Sequence, residues 1–380
     1  MPNPIGRRAT ALAAAGLTAV AITACSPPTE SGSGGTDTGG GVSAATATSA
    51  EELGGMDALV AAANEEGALN VIALPPDWAN YGEVIKAFQA KYPDITVTSD
   101  QPDASSADEI ATAKRLKGQS GAPDVFDLGA AVALANTDMY AKYKVATWDD
   151  VPADFKDPDG LWINDYGGYM SIGYDSSKVP APTSVQDLMG ADYKGKVALN
   201  GNPTEAGAAF AGVQMVAIAE GGSAGDLAKG VEFFKELKAA GNFLPVDPTP
   251  ATVESGQTPV VIDWDYLNAS LSAKVPTWEV FVPSDAVVAG YYYQAINVDA
   301  PHPAAARLWQ EFLYSDEGQN LWLKGGARPV RFDAMKEAGT LDEAAAAALP
   351  AVDGTPVVPT QEDAESGKTY LAENWANAVG

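Results

Sequence analysis

The chain is poor in the residues from which catalytic and metal sites are most often built. It contains one cysteine, Cys25, and one histidine, His302, in 380 residues. A single cysteine excludes an intramolecular disulfide, so a packed core must stabilise the fold. His302 lies between two prolines, which places it on a loop and disfavours a zinc site or a Ser-His-Asp triad.

Positive charge is also scarce. The sequence has 23 lysines and arginines against 50 acidic residues, a net charge of −27. This excess argues against a nucleic-acid partner and against adhesion to anionic lipid headgroups. Cationic solutes remain the class that the chain attracts most easily.

The N-terminus has the features of an export signal. Arg7 and Arg8 precede an apolar run over residues 11–21, which is too short to span a bilayer. The ending at Cys25 resembles a bacterial lipobox. We therefore expect a signal peptide over residues 1–24, a lipidated Cys25, and a flexible linker over residues 25–50. The protein would then sit on the outer face of the cytoplasmic membrane. A plain secretory signal with an incidental Cys25, and twin-arginine export, are the alternatives.

The remainder alternates short apolar runs with amphipathic segments, which predicts an α/β fold with a parallel sheet and helical crossovers. No element is predicted in the polar tail after residue 357. The predicted strands cover 68–74, 95–98, 124–128, 169–174, 196–199, 259–263, 278–282 and 290–296. The main predicted helices cover 84–92, 108–116, 205–219, 227–239, 304–313 and 317–323.

The order of these segments resembles the extracellular solute-binding proteins of bacterial ABC importers, in particular the type II group of ferric-ion and polyamine binders. The resemblance covers residues 66–332. It rests on four stretches: 84–95, 122–126, 185–197 and 304–319.

This resemblance implies a two-lobed periplasmic-binding-protein-like fold of type II, with the solute bound between the lobes. The N-lobe would comprise residues 66–167 plus 292–380, and the C-lobe residues 176–286. The two hinge crossings would lie near 167–176 and 285–295. Such a protein is no enzyme and needs no cofactor; its partners would be a small-molecule solute and a membrane ABC permease, and we expect a monomer.

Strand ends supply the first candidate ligand-binding residues, because sites in open α/β sheets form beyond the ends of strands. They lie after the first strand, after the third strand, at the first crossing and at a helix start. In chain order they are Asp77, Trp78, Tyr81, Asp127, Tyr166 and Thr204. A purely structural alternative for Asp77 is a helix N-cap.

The most distinctive stretch is Asp263-Trp264-Asp265-Tyr266, which follows an apolar strand. Ferric-ion binders carry a tyrosine pair in the matching stretch, and this chain lacks it. Polyamine binders carry a tryptophan there, which resembles Trp264. A carboxylate and an aromatic face together stabilise a desolvated ammonium group.

The next strand contains three consecutive tyrosines. Alternate residues of a strand share a face, so Tyr291 and Tyr293 should point together and Tyr292 should point the other way. We expect at least one of the three to be a core residue. The stretch has no acid, whereas polyamine binders carry a tryptophan and an aspartate near it.

These features together predict a small cationic or zwitterionic amine as the solute. Asp77, Asp263 and Asp265 would be its charge partners, and the walls would be Trp78, Trp264, Tyr291 and Tyr293. Three alternatives stay open. They are a ferric-ion or metal-chelate binder using the tyrosines, a phosphonate or other anion binder using Thr204, and a secreted enzyme using the Asp263 and Asp265 carboxylates.

Overall fold

A computed structural model describes residues 42–380 of the chain. The predicted signal peptide, Cys25 and the first part of the predicted linker lie outside the described residues. The strands are β1 Ala68–Ile72, β2 Thr96–Asp100, β3 Val125–Leu128, β4 Tyr140–Ala141, β5 Ile163–Asp175, β6 Val197–Leu199, β7 Val260–Trp264, β8 Trp278–Phe281, β9 Ala289–Asn297 and β10 Arg328–Pro329. The first helices are α1 Met56–Glu66, α2 Tyr81–Lys91, α3 Ser106–Leu116, α4 Ala130–Leu134, α5 Gly207–Ala219, α6 Ala228–Ala239 and α7 Pro250–Glu254. The later ones are α8 Asp265–Leu271, α9 Pro303–Leu313, α10 Asp316–Lys324, α11 Phe332–Ala338, α12 Glu343–Ala347 and α13 Gln361–Val379.

The long strand β5 runs through both halves of the large sheet. Its first half pairs with β9 and its second half with β7 and β8, in a sheet of order β3-β9-β5-β7-β6. All of its residues except Tyr169 are buried, so it links the two halves of the sheet through the core.

The strand pairing is mixed, whereas the sequence pattern predicted a parallel sheet with helical crossovers. Within the described residues, only β1 with β2 and β6 with β7 pair in parallel. The strands β3, β9, β5 and β7 pair antiparallel. The sequence pattern of alternating strands and helices did not predict that β5 and β9 are antiparallel to the strands beside them.

Residues 43–50 were expected to belong to the flexible linker, but they pack on α9. The buried Arg307 donates from Nε to the carbonyl oxygen of Ala47 at 2.8 Å and from Nη2 to that of Ala45 at 3.2 Å. The backbone N–H of Lys144 donates to the carbonyl of Thr48 at 2.8 Å. These hydrogen bonds satisfy a buried guanidinium, so this part of the chain belongs to the folded body.

The C-terminal tail forms the 19-residue helix α13, which the sequence analysis did not predict. Thr360 and Asp363 form a capping box at its start: the backbone N–H of Thr360 donates to the Asp363 carboxylate at 2.9 Å, and the Asp363 N–H donates to the Thr360 hydroxyl at 3.2 Å. The helix packs against α6 and α4. It therefore does not lie solely with residues 66–167, to which we expected residues 292–380 to belong.

None of the helices formed by residues 42–380 has the length and apolar character needed to cross a bilayer.

Candidate functional site

Five aromatic rings form a cluster where the two halves of the large sheet meet. They come from the loop after β1, from β5, from the end of β7, from the start of α8 and from β9. Neighbouring ring centroids lie 5.6–6.4 Å apart, mostly edge to face. We call these rings the aromatic cluster: Trp78, Tyr166, Trp264, Tyr266 and Tyr292.

Polar groups fix two of these rings in place. The indole Nε1–H of Trp78 donates to the hydroxyl of Tyr166 at 2.8 Å, and that hydroxyl donates to Oδ2 of Asp127 at 3.0 Å. Gly290 of β9 lies directly under the Trp264 indole, and a Cβ at this position would collide with the ring. The absence of a side chain at residue 290 therefore lets the indole lie flat on β9.

Two carboxylates adjoin the aromatic cluster without a cationic partner. Asp127 and Asp263 are buried, with 7% and 6% of their surfaces exposed. Within residues 42–380 no lysine, arginine or histidine forms an ion pair with either. Burial raises the pKa of each to about 7, although the hydrogen bonds that they accept oppose this shift.

The hydrogen bonds of these two carboxylates differ. Asp263 accepts the side-chain N–H of Asn200 at 2.8 Å and the backbone N–H of Trp264 at 2.8 Å. Asp127 accepts the Tyr166 hydroxyl on Oδ2, whereas its Oδ1 is buried with no partner among the described residues. Asp127 thus retains an acceptor that points into the protein.

Two further acids surround Asp127. A carboxylate oxygen of Glu109 accepts the backbone N–H of Asp127 at 3.1 Å. Asp165 accepts the side-chain N–H of Gln294 at 3.0 Å. Burial, and secondarily the charge of Asp127, raises the pKa of both well above its usual range. Burial thus favours the protonated, neutral form of these two acids, and a bound cation nearby would favour their ionised form.

A cavity of about 270 Å³ adjoins the aromatic cluster and shares Trp264 and Tyr292 with it. It lies between α4 and the start of α5. Gly129 and Gly207 bring these elements together, since a Cβ on either would lie 3.2–3.3 Å from the Cα of the other. Larger side chains here would push the two walls of the cavity apart.

The structure brings together most of the residues predicted from the strand ends. Trp78, Tyr166, Asp127, Asp263 and Trp264 meet at the aromatic cluster. The buried Tyr81 stacks edge to face on Tyr166 at 5.8 Å and accepts the side-chain N–H of Gln294 at 3.0 Å.

The remaining predicted residues of the cavity wall are more exposed. Thr204 lines the cavity and donates its hydroxyl to Asn202 at 2.9 Å. Tyr291 and Tyr293 also line it and stack on Phe155 and Trp162, at centroid distances of 4.6 and 4.8 Å.

Two predicted charge partners lie elsewhere. The side chain of Asp77 is 74% exposed and pairs with Lys274 at 3.4 Å. Asp265 is fully buried, pairs with Arg328 at 2.6 Å, and accepts the backbone N–H of Tyr169 at 3.0 Å. Asp77 and Asp265 thus already have cationic partners within the protein, whereas Asp263 and Asp127 form no ion pair among residues 42–380.

Several residues of the site were not predicted from the sequence. Tyr292 was set apart from its neighbours, yet it is a member of the aromatic cluster, and Tyr266 stacks parallel to Trp264 at 6.4 Å. Asn164 donates its side-chain N–H to the carbonyl of Tyr292 at 2.8 Å. Tyr266 directly follows the Asp-Trp-Asp stretch, so its position in sequence was the available signal.

The described residues offer little to a metal ion. No group of three or more histidine, cysteine, aspartate or glutamate side chains within residues 42–380 is arranged to hold one. Burial raises the pKa of the Tyr81 and Tyr166 hydroxyls well above the usual value. These two hydroxyls are therefore protonated in the unliganded protein.

Comparisons with known proteins agree with this architecture. A sequence profile described as bacterial extracellular solute-binding protein matches residues 119–355. No curated protein matches the sequence. The fold is similar to that of iron-bound HitA from Pseudomonas aeruginosa, with 19% identity, a TM-score of 0.60, and coverage of 82% of this chain and 99% of that chain.

Two further solved structures are similar over nearly the same length. The binding protein AgtB from A. tumefaciens R10, in complex with agropinic acid, has 14% identity and a TM-score of 0.64; the match covers 82% of this chain and 98% of that one. The spermidine/putrescine ABC transporter substrate-binding protein PotD from Streptococcus pneumoniae has 14% identity and a TM-score of 0.56, with coverage of 82% and 99%.

These similarities confirm the two-lobed type II periplasmic-binding-protein fold. The chain belongs to the bacterial extracellular solute-binding protein family. Membership implies an exported protein that binds a small molecule and does not transform it, which removes the carboxylate-dependent enzyme from the alternatives.

Proposed function

We propose that this protein is the solute receptor of an ABC importer and that its solute is a small organic cation or zwitterion. The ammonium group of the solute would bind at the aromatic cluster, with Asp127 and Asp263 as its charge partners. In this role Asp127 replaces Asp77 and Asp265, which the sequence pattern had suggested.

The single observation that carries the proposal is the pair of buried carboxylates without a cation. An unpaired buried carboxylate is destabilising, because burial removes its hydration and nothing replaces it. Natural proteins keep such groups mainly where they function. A bound ammonium would supply the missing charge and the missing donor for Oδ1 of Asp127.

The rings support a cation as well. A desolvated ammonium over an aromatic face gains on the order of 2 kcal/mol, and tryptophan is the strongest partner. The aromatic cluster contacts both carboxylates, through the Tyr166 hydroxyl on Asp127 and the backbone N–H of Trp264 on Asp263. An anionic solute at the same rings would lie beside the same acids, and the lysine of the described cavity lining, Lys368, is on α13 and not in the aromatic cluster.

The similar solved structures span several solute classes: iron-bound HitA, AgtB with agropinic acid, and the spermidine/putrescine transporter protein PotD. Their identity to this chain is at most 19%, so the solute must be argued from the residues of this chain. Within residues 42–380 no group of three or more histidine, cysteine, aspartate or glutamate side chains is arranged to hold a metal ion, which makes iron the weaker candidate.

Delivery would follow from the two-lobed fold. We infer that β5 and the segment between β8 and β9 are the hinge crossings, because β5 runs through both halves of the sheet and the chain passes from β8, beside the second half of β5, to β9, beside its first half. Closure about such hinges would enclose the solute and present the closed form to a permease. Lipidation of Cys25 would tether the receptor, a monomer, to the outer face of the cytoplasmic membrane. A Cys25→Ser chain would then move from the membrane fraction to the soluble fraction, and unchanged fractionation would contradict the anchor.

The solute class is tested by ligand-induced thermal stabilisation. A ligand at about one hundred times its Kd stabilises the folded chain by about 2.7 kcal/mol. Putrescine, spermidine, choline and glycine betaine would be compared with ferric citrate and with methylphosphonate. We expect a rise in Tm with at least one amine and none with the iron or phosphonate compound. The reverse pattern would contradict the proposal.

A further inference from the structure

The C-terminal helix α13 lies beyond the residues that the family profile matches, which end at residue 355. The segment that leads into α13 pairs with the chain at the start of β9. Val357 donates its N–H to the carbonyl of Val287 at 2.8 Å and accepts the N–H of Ala289 at 2.9 Å. This short pairing fixes the approach to α13 beside a proposed hinge crossing.

One side of α13 packs firmly on α5 and α6. The rings of Trp375 and Phe234 meet edge to face at 5.3 Å, and Leu371 is fully buried. Gly367 approaches so closely that a Cβ there would lie 2.9 Å from the Phe210 ring. The helix is therefore anchored to the part of the chain that supplies the α5 wall of the cavity.

Another face of α13 lines the cavity. Gln361, Ala364 and Lys368 are lining residues, and their spacing of three and four residues places them on one side of a helix. The facing wall is α4, with Ala130, Val132 and Leu134 among the lining residues, and α13 also contacts α4. The helix thus spans from one wall of the cavity to the other.

We propose that α13 is a third wall of the solute-binding cavity and that its Gln361–Ala364–Lys368 face contacts the bound solute. The proposal rests on the proposed function only in taking the cavity as the solute site. Because α13 packs on α6 and also contacts α4, this wall is held from both sides. Among the described lining residues Lys368 is the only lysine or arginine, so this wall also supplies positive charge at the cavity edge.

Thiol labelling without any solute tests this wall. The Cys25→Ser chain contains no cysteine, so a cysteine introduced into it is the single site that the reagent can label. Ala211→Cys places a reporter in the cavity wall of α5, and Ala217→Cys places a control on the same helix, fully buried and away from the cavity. Each is labelled with N-ethylmaleimide in two backgrounds. Ala364→Trp changes the cavity face of α13, and Thr369→Trp changes an exposed position on the same helix.

We expect Ala364→Trp to change the labelling rate at residue 211 by roughly tenfold or more, equivalent to about 1.4 kcal/mol in accessibility. The rate falls where the indole fills the cavity and rises where it displaces the helix; either result shows that α13 covers residue 211. Labelling at residue 217, and both rates in Thr369→Trp, should match the parent chain. Equal rates at residue 211 in the two tryptophan variants would overturn the proposal.

If Ala364→Trp unfolds the chain, labelling at residue 217 rises as well. A second variant then tests the proposal in its place. Gln361→Trp alters the exposed first turn on the same face and should slow labelling at residue 211 while sparing residue 217. No effect at residue 211 overturns the proposal. Because labelling needs no solute, α13 can fail this test while an amine still binds, and the two ideas fail separately.

Discussion

Replacing Asp127 by asparagine should abolish solute binding while making the unliganded protein more stable at alkaline pH. Asparagine has the shape of aspartate and can still accept the Tyr166 hydroxyl, but it carries no charge. Loss of a buried partner of an ammonium costs on the order of 3–5 kcal/mol. The affinity for the best amine should therefore fall by roughly two to four orders of magnitude.

The stability effect has a definite sign. The pKa of Asp127 is about 7 in the folded chain and about 4 in an unfolded one. The folded state therefore binds more protons between these values, and the free energy of unfolding of the parent falls as pH rises from about 4 to about 7. The introduced asparagine does not titrate, so the variant escapes this loss, which is at most on the order of 4 kcal/mol at pH 8.

Calorimetric titration at pH 8 and urea unfolding at pH 5 and pH 8 measure the two effects. The matched control is Asp77→Asn, which also removes one carboxylate but at an exposed position paired with Lys274. We expect the control to keep parent affinity and parent stability within about 0.5 kcal/mol. An Asp127→Asn variant that binds the amine like the parent, or that is less stable at pH 8, would refute the reasoning.

Three further predictions follow from the same contacts. Amine affinity of the parent should rise about tenfold from pH 6 to pH 8 for each of Asp127 and Asp263 that must ionise, measured by titration in matched buffers; a flat profile would contradict it. Asp265→Asn should lower the free energy of unfolding by about 3–5 kcal/mol, because it leaves the partly buried Arg328 unpaired; unchanged denaturation would show that this pair is not structural. Gly290→Ala should weaken amine binding more than it weakens the fold, since its Cβ displaces the Trp264 indole; parent-like affinity would exclude that ring from the site.

The order of elements could be predicted because it depends on local periodicity and on breakers such as Pro93 and Gly241. The direction of strand pairing could not, because the register of β5 with β9 and β7 is set by contacts distant in sequence. The helix α13 was missed because its buried face is small residues and isolated apolar ones, such as Ala364, Gly367 and Leu371. Its packing partners, not its own pattern, define that face.

The same limit applies to the site. Residues next to strand ends, such as Asp127 and Trp264, could be found because polar and aromatic residues there end an apolar run in the sequence. The difference between Asp263 and Asp265 could not, because it depends on Arg328, which is distant in sequence. A carboxylate that is neutralised by a distant arginine and one that is left unpaired look identical in sequence.

The most direct test of the central claim is the crystal structure of the protein with the amine that stabilises it most. Our account predicts an ammonium nitrogen at about 3 Å from Oδ1 of Asp127, facing the Trp264 and Tyr266 rings, with the rest of the solute in the 270 Å³ cavity. A solute bound away from Asp127 and Asp263, or a metal ion or anion held in their place, would contradict it.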